Sequence, residues 1–159
     1  MKRFILTSLL FLSFFQFLNA QNIVISEISY NTPESGSDSL EFIELYNHDI
    51  VPVNLNNWYF SSGVIYTFGD VTMSPGDYLV VATNSGAIEN VFGYSEAYQW
   101  SGGGLSNGGE PVAVKDSSGN LIDSLRYDDV LPWPDGTEGT TGDPDGGGPT
   151  IILCDYDDD

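Results

Sequence analysis

The chain has one histidine among its residues that could support acid–base chemistry. His48 stands in the stretch Tyr46-Asn47-His48-Asp49, whose Asn and Asp predict a turn after a strand. A hydrolase needs an activated nucleophile or a placed acid and base, and the sequence contains no Gly-x-Ser-x-Gly elbow to accompany this histidine. Because a lone histidine in a turn is ordinarily solvated, we expect no catalytic role for His48.

Three glutamates, Glu27, Glu41 and Glu44, fall in segments that otherwise read as strands, where glutamate is disfavoured. Glu41 and Glu44 are separated by an odd number of positions, so an unbent strand would send them to opposite faces. A β-bulge would change that geometry. The spacing therefore argues against a simple carboxylate pair, and we expect this protein not to be an enzyme.

Two aspartate-rich segments near the C-terminus offer carboxylates at alternate positions. Calcium takes about six to eight oxygen ligands, and an Asp-x-Asp-x-Asp run begins an EF-type loop. Neither segment is complete, because the second lacks the turn glycine and the distal glutamate. We expect a solvated acidic tail and no cofactor, with calcium as the alternative. The candidate calcium ligands are Asp143, Asp145, Asp155, Asp157 and Asp159.

The chain carries 23 acidic and only 4 basic residues, a formal net charge of −19. Nucleic-acid affinity depends on cationic contacts to phosphate, so DNA and RNA are improbable partners. Anionic membranes are disfavoured for the same reason. Cationic partners, divalent metals and neutral glycans stay open, although solubility in a salty extracellular medium accounts for most of this charge.

The N-terminus has the layout of a secretory signal peptide. Lys2 and Arg3 precede an apolar run over residues 4–18, and Ala20 offers a small residue for cleavage. A membrane anchor is the alternative, but this run is shorter than the roughly 20 apolar residues that a spanning helix needs. We expect removal of residues 1–20, a mature chain beginning at Gln21 without a transmembrane segment, and a secreted or cell-surface location.

Short runs rich in β-branched and aromatic residues alternate with Gly, Pro, Asn and Asp along the rest of the chain. Two turns are explicit: residues 74–77 place Pro and Gly as a type II turn requires, and residues 116–120 form a hairpin loop. Only residues 87–92 could form a helical turn. This spacing predicts an all-β, immunoglobulin-like two-sheet sandwich. The predicted strands are 23–30, 40–47, 53–55, 58–60, 64–68, 78–82, 111–115 and 121–127, with a possible last strand at 150–153.

Aromatic and apolar residues in these runs supply the expected core, which comprises Trp58, Phe60, Tyr66, Phe68, Leu79 and Val81. Four other aromatics fall in loop-like segments and are the ones that could stack on sugars: Tyr94, Tyr98, Trp100 and Trp133. Residues 102–109 and 132–149 are rich in glycine and are expected to be mobile surface loops. Cys154 is the only cysteine, and the aspartate-rich ending predicts that the sequence is truncated from a longer protein.

The chain resembles the lamin tail domain family, an immunoglobulin-like sandwich. The resemblance covers nearly all of residues 22–131. The matching motifs, in order, are ISEI at 25–28, EFIELYN at 41–47, NWYF at 57–60, YTF at 66–68, SPGDYLVV at 74–81, LSNGGE at 105–110, VAVKD at 112–116 and GNLIDSL at 119–125.

The resemblance implies a non-catalytic module, of the kind that bacterial members carry as accessory domains on exported or surface proteins. It also implies a structural role for Glu27, Glu41 and Glu44, which would bind turn backbone N–H groups or pair with Arg126. The expected function is interaction or scaffolding with a protein or surface polymer. The alternative is a calcium-dependent module that binds carbohydrate or a surface polymer.

Overall fold

The computed structural model describes residues 23–32, 38–129 and 150–153. The expected signal peptide over residues 1–20, together with Trp133, Cys154 and the glycine-rich segment 132–149, lies outside these ranges. The elements are β1 (Ile23–Ser29), β2 (Phe42–Asn47), β3 (Val53–Asn54), β4 (Tyr59–Ser62), β5 (Val64–Ile65), β6 (Thr72–Met73), β7 (Tyr78–Ala82), α1 (Ser85–Phe92), β8 (Tyr98–Gln99), β9 (Gly102–Gly103), β10 (Glu110–Lys115), β11 (Leu121–Tyr127) and β12 (Ile151–Ile152).

Two larger sheets form the sandwich that the strand spacing predicts. One has five strands in the order β12-β1-β2-β7-β8, and the other has three in the order β11-β10-β4. Two small ribbons, β3-β6 and β5-β9, join them at the margins. Ile25, Leu45 and Val81 from the first sheet pack in one buried cluster with Val112 and Val114 from the second. The chain is therefore an all-β, immunoglobulin-like sandwich, as expected.

A β-bulge at Ser26 determines which side chains of β1 point into the core. Ile25 pairs with Leu45 and Glu27 pairs with Glu44, so one extra residue of β1 sits between two consecutive pairs. Without the bulge, Ile25 and Ile28 would point to opposite faces, because their separation is odd. With it, both are buried in the core and Glu27 takes the outer face.

Helix α1 is a crossover connection between two parallel strands, β7 and β8. A parallel pair cannot be closed by a tight turn, so the chain must pass over one face of the sheet. The side chain of Asn84 caps the helix by accepting from the Ala87 N–H at 3.0 Å, and Gly93 ends it with φ 73°. Ile88 packs on Val80 and Ala82, so the helix covers part of the outer sheet face. The helix is slightly longer than the turn expected from residues 87–92.

The apolar run of β7 is buried on both sides, as its composition suggests. Leu79 and Val81 belong to the central core, whereas Val80 and Ala82 contact the helix. Both predicted turns are also confirmed. The Asp77 N–H donates to the Ser74 carbonyl at 3.0 Å with Gly76 at φ 81°, and Gly119 takes φ 84° in the hairpin after β10.

Four of the six expected core residues are buried: Phe60, Phe68, Leu79 and Val81. The prediction was wrong for Trp58 and Tyr66, which are only partly buried and pack against the margin of the core. Trp58 immediately precedes β4, which is at the edge of the three-stranded sheet, and its side chain packs against the core only at its periphery. The core centre is instead formed by aliphatic residues of β1 and β2, such as Ile23, Ile43 and Leu45.

Candidate functional site

A cleft of about 430 Å³ lies on the outer face of the five-stranded sheet, beside helix α1. We call it the outer cleft. Most of its lining is apolar, and the rest consists of hydroxyl groups and two carboxylates. The lining residues are Glu27, Ser29, Thr32, Leu40, Phe42, Glu44, Tyr78, Val80, Ile88, Val91, Phe92, Tyr94 and Thr150.

The alternation of side chains along β2 determines which of its residues face the cleft. Ile43, Leu45 and Asn47 are buried on the core side, whereas Phe42, Glu44 and Tyr46 face outward. Because α1 covers β7 but not the whole sheet, the outward residues of β1 and β2 form a floor beside the helix. Phe92 stands at the helix end, 58% exposed, with its ring 6.5 Å from that of Phe42.

Glu27 and Glu44 are directly opposite each other on the β1–β2 ladder, and both line the cleft. Each carboxylate accepts a hydrogen bond from a hydroxyl: Ser26 donates to Glu44 at 2.7 Å, and Thr150 donates to Glu27. Burial raises the pKa of the Glu44 carboxyl, the Ser26 hydrogen bond lowers it, and the charge of Glu27 raises it again. The cleft therefore holds two like charges in a largely apolar surrounding.

Thr32 adds a buried polar group to the same cleft. Its side chain is 7% exposed, and its hydroxyl has no hydrogen-bond partner among the residues that the structure describes. Buried hydroxyls are ordinarily hydrogen-bonded, so this one has unused capacity.

Glu41 has a structural position, distinct from that of the other two glutamates. It is 4% exposed, and its carboxylate accepts a hydrogen bond from the Leu105 N–H at 3.2 Å. The prediction that Glu41 and Glu44 point to opposite faces is therefore confirmed. Of the two structural roles expected for Glu41, the observed one is to bind a turn backbone N–H. Arg126 is exposed on β11 in the other sheet.

The glycine-rich stretch 102–109, which the sequence suggested to be mobile, begins with the short strand β9, and the turn after it is held by several hydrogen bonds. Glu110 accepts from the Ser106 N–H at 2.8 Å, and the Tyr127 hydroxyl donates to the Ser106 carbonyl at 2.8 Å. Asn107 also donates to the Asn31 side chain at 3.1 Å. This part of the glycine-rich stretch is a braced turn, because its polar groups find partners on three other segments.

His48 is exposed in the turn after β2, and its ring lies 6.0 Å from that of Tyr46. The turn itself is organised by Asn47, whose buried amide donates to the Met73 carbonyl at 2.9 Å and to the Val51 carbonyl at 3.1 Å. Asn47 also accepts from the Asp49 N–H at 3.0 Å. The polar residues of this turn thus serve the connection between β2 and β3.

The four aromatics considered for sugar stacking occupy different environments. Trp100 is 5% exposed and belongs to the core, so it cannot present a stacking face. Tyr98 is 37% exposed, and Tyr94 is partly buried in the cleft wall. Tyr78, which the sequence did not single out, is 51% exposed and stacks with Tyr46 at 4.6 Å. Trp133 lies outside the described residues.

The five candidate calcium ligands, Asp143, Asp145, Asp155, Asp157 and Asp159, also lie outside the described residues. Within the described ranges, no group of three or more His, Cys, Asp or Glu side chains could hold a metal ion. The same ranges contain no helix with the length and apolar character needed to cross a membrane.

The outer cleft was not predicted from the sequence. Its only sequence signal is that two of the three outward residues of β2, Phe42 and Tyr46, are aromatic, where an ordinary solvated face carries polar residues. Two other features of the cleft could not be predicted. The helix that forms its second wall is short, and Glu27 lies opposite Glu44 only because of the β-bulge.

Comparison with known proteins agrees with the family that the motifs suggested. The profile of the Lamin Tail Domain family matches residues 18–129, which is more than half of the chain. No curated protein sequence matches the chain.

Among the solved structures, one similar fold is that of a DUF4876 family protein from Bacteroides thetaiotaomicron, with a TM-score of 0.55 and 12% identity. The superposition covers 70% of this chain and 55% of that one, so this chain spans little more than half of that protein's length. At this identity the likeness shows the fold alone.

Proposed function

Since the chain belongs to the lamin tail domain family, we propose that it is a non-catalytic interaction module of a larger secreted or cell-surface protein. The family and the sandwich support a non-enzymatic role. The observation that carries the proposal is the outer cleft, a ligand-sized depression built on rigid strands and one helix. Binding sites of this kind have volumes of roughly 300–1,000 Å³ and mostly apolar walls.

The hydrogen bonds of the glutamates also favour binding over catalysis. Glu41 is engaged by a backbone N–H, and Glu44 by a hydroxyl. A catalytic nucleophile must also be accessible to a substrate, whereas Ser26, which donates its hydroxyl to Glu44, is only 2% exposed. His48, the only histidine of the chain, lies in an exposed turn next to Tyr46. The surroundings of the cleft carboxylates therefore favour binding of a ligand over catalysis.

Export is proposed from the N-terminal sequence. The n-region, the apolar run and Ala20 match the three parts of a secretory signal. N-terminal sequencing of the protein recovered from the external medium or cell surface should begin at Gln21. Recovery of a chain that keeps Lys2 and Arg3 would contradict export by cleavage.

Site-specific photo-crosslinking tests the interaction role. A photoreactive residue replaces Tyr78, at the cleft, and in a matched variant it replaces Leu121, on β11 of the opposite sheet. The two side chains are 51% and 53% exposed, so both probes reach solvent equally well. Irradiation in the exported fraction of the host should give a discrete adduct from position 78 only. Equal labelling from both positions, or none, would contradict a binding role for this face.

The second candidate is a module that binds carbohydrate or a surface polymer with the help of calcium. Two exposed tyrosines favour it: Tyr78 stacks on Tyr46, and Tyr98 lies 6.2 Å from Tyr66. Sugars stack on such exposed aromatic faces. This candidate needs a metal, and neither aspartate-rich segment is a complete calcium loop, so it ranks second.

A further inference from the structure

We propose that the outer cleft binds a segment of a partner protein that presents a lysine or arginine beside apolar side chains. The inference rests on the proposed interaction function and names the chemistry of its partner. The cation would lie between Glu27 and Glu44, and the apolar neighbours would lie against the helix side of the cleft.

The paired carboxylates of Glu27 and Glu44 favour a cationic ligand. Two like charges directly opposite on neighbouring strands repel each other. A carboxylate has about four lone-pair sites, and Ser26 and Thr150 each supply a single hydroxyl to one of the pair. A cation between the two glutamates would convert this repulsion into two charge-assisted hydrogen bonds. Burial of Glu44 strengthens that attraction, because the local dielectric is lower than in water.

Thr32 is an independent sign that the cleft accepts a polar ligand. Its hydroxyl is buried and has no partner in the described part of the chain, although it lines the same cleft as the glutamates. A hydroxyl can donate one hydrogen bond and accept two. A peptide supplies both complementary groups, since each residue has a backbone N–H and a carbonyl.

The remaining lining specifies the apolar part of the ligand. Phe42, Val80 and Ile88 form a continuous apolar surface, and Val91 and Phe92 leave 59% and 58% of their areas exposed at its edge. Covering such residues with an apolar ligand is favourable because it removes apolar area from water. A lone ammonium ion or a hydrophilic cation would leave this apolar surface exposed to water.

Charge favours a cationic protein segment over the other macromolecules. The chain has a net charge of −19, so it attracts cationic segments and repels anionic lipid and nucleic acid. A neutral glycan would bury the two carboxylates without neutralising them, which costs free energy.

Selection from a random peptide library displayed on phage tests the proposal without assuming a sequence. The full chain is the bait, and binders are then made as labelled synthetic peptides for fluorescence anisotropy. We expect enrichment of peptides with lysine or arginine next to leucine, isoleucine or aromatic residues. Raising the salt concentration should weaken their binding, because charges contribute to it.

Two charge-matched double variants locate the site. Glu27→Gln with Glu44→Gln removes the paired carboxylates and should weaken peptide binding by at least about tenfold. Glu89→Gln with Asp129→Asn removes the same charge from exposed positions that do not line the cleft, and should change affinity less than about twofold. Near-UV circular dichroism confirms that both variants are folded. Val91→Ser, at an exposed apolar position, should also weaken binding.

The outcomes separate this inference from the proposed function. If peptides bind without a cation, or bind the paired-glutamate variant as tightly as the parent, the cationic ligand is wrong and the interaction module stands. If a neutral glycan or a lipid vesicle binds and loses affinity in that variant, the ligand class is wrong. If no peptide binds and Tyr78 gives no specific adduct, both proposals fail.

Discussion

The carboxylate of Asp123 on β11 accepts a hydrogen bond of 2.7 Å from the backbone N–H of Ile25 on β1. The contact joins the two sheets of the sandwich at the β-bulge, where the short strand β12 pairs only with Glu27 and Ile28. Asp123 is 9% exposed and also accepts from the Ser124 N–H. It thus satisfies a backbone donor on the part of β1 that β12 does not reach.

We expect Asp123→Ala to lower the free energy of unfolding by about 1–3 kcal/mol, because it leaves the Ile25 N–H buried without this acceptor. Asp123→Asn keeps an acceptor oxygen and should cost less. Urea unfolding of both variants measures the difference, with Asp129→Ala as an exposed control that should change stability by less than about 0.5 kcal/mol. Equal stability of Asp123→Ala and the parent would show that the contact is not needed.

Gly109 should not tolerate alanine. Its φ is +81°, and an added Cβ would lie 2.5 Å from both the Asp128 Cα and the Tyr127 carbonyl oxygen. We expect Gly109→Ala to cost about 2 kcal/mol or more, since strain and a backbone clash combine. Gly69→Ala is the matched control, because nothing lies within 4 Å of its Cβ position, and it should stay within about 0.5 kcal/mol of the parent. A similar melting temperature for the two variants would contradict the observed turn.

Phe68 and Trp58 should differ in their contribution to stability. Phe68 is 2% exposed in the core, so Phe68→Ala should cost about 3–5 kcal/mol. Trp58 is partly buried at the core margin, so Trp58→Ala should cost less than Phe68→Ala. Chemical denaturation of the two variants compares them. A larger loss of stability for Trp58→Ala than for Phe68→Ala would show that Trp58 belongs to the core, as its sequence context suggested.

Glu44 should titrate above the ordinary range for glutamate. Burial raises the pKa of its carboxyl, and Glu27 raises it further, while the Ser26 hydroxyl lowers it. We expect Ser26→Ala to raise this pKa and Glu27→Gln to lower it, as followed by carboxyl-carbon NMR titration. No movement in either variant would mean that the two groups do not interact with Glu44.

The shift has a defined sign for stability. A folded pKa above the unfolded value means that the folded state holds the proton more strongly. The contribution of Glu44 is therefore fully present below its unfolded pKa and is lost as the pH rises through its folded pKa. Glu44→Gln should remove this part of the pH dependence, which thermal unfolding across that pH window would detect.

Calcium should have little specific effect on unfolding, because neither aspartate segment is a complete loop. The measurement compares millimolar calcium with sodium at equal ionic strength, since screening alone depends on ionic strength. A true site would stabilise by about 2.7 kcal/mol at a hundredfold excess over Kd. A rise in melting temperature with calcium alone, lost in Asp143→Asn with Asp145→Asn, would promote the calcium-binding candidate.

The sequence by itself determined the longer strands, the two turns and the family, but not the two-residue strands β6, β8 and β9. Runs such as residues 78–82 and 121–127 became β7 and β11 over the same residues, and Gly76 and Gly119 took the positive φ that glycine favours. These features depend on local backbone preference and side-chain alternation, which neighbouring residues reveal. The lamin tail motifs could likewise be recognised in order along the chain.

Only the tertiary structure decided which side chains meet. The bulge at Ser26 placed Glu27 opposite Glu44, and the crossover of α1 built the second wall of the outer cleft. Glu41 and Leu105 are 64 positions apart, and Ile25 and Asp123 are 98 apart. Such contacts follow from register and from the stacking of two sheets, and the local pattern of apolar residues is the same whichever partner a strand finds.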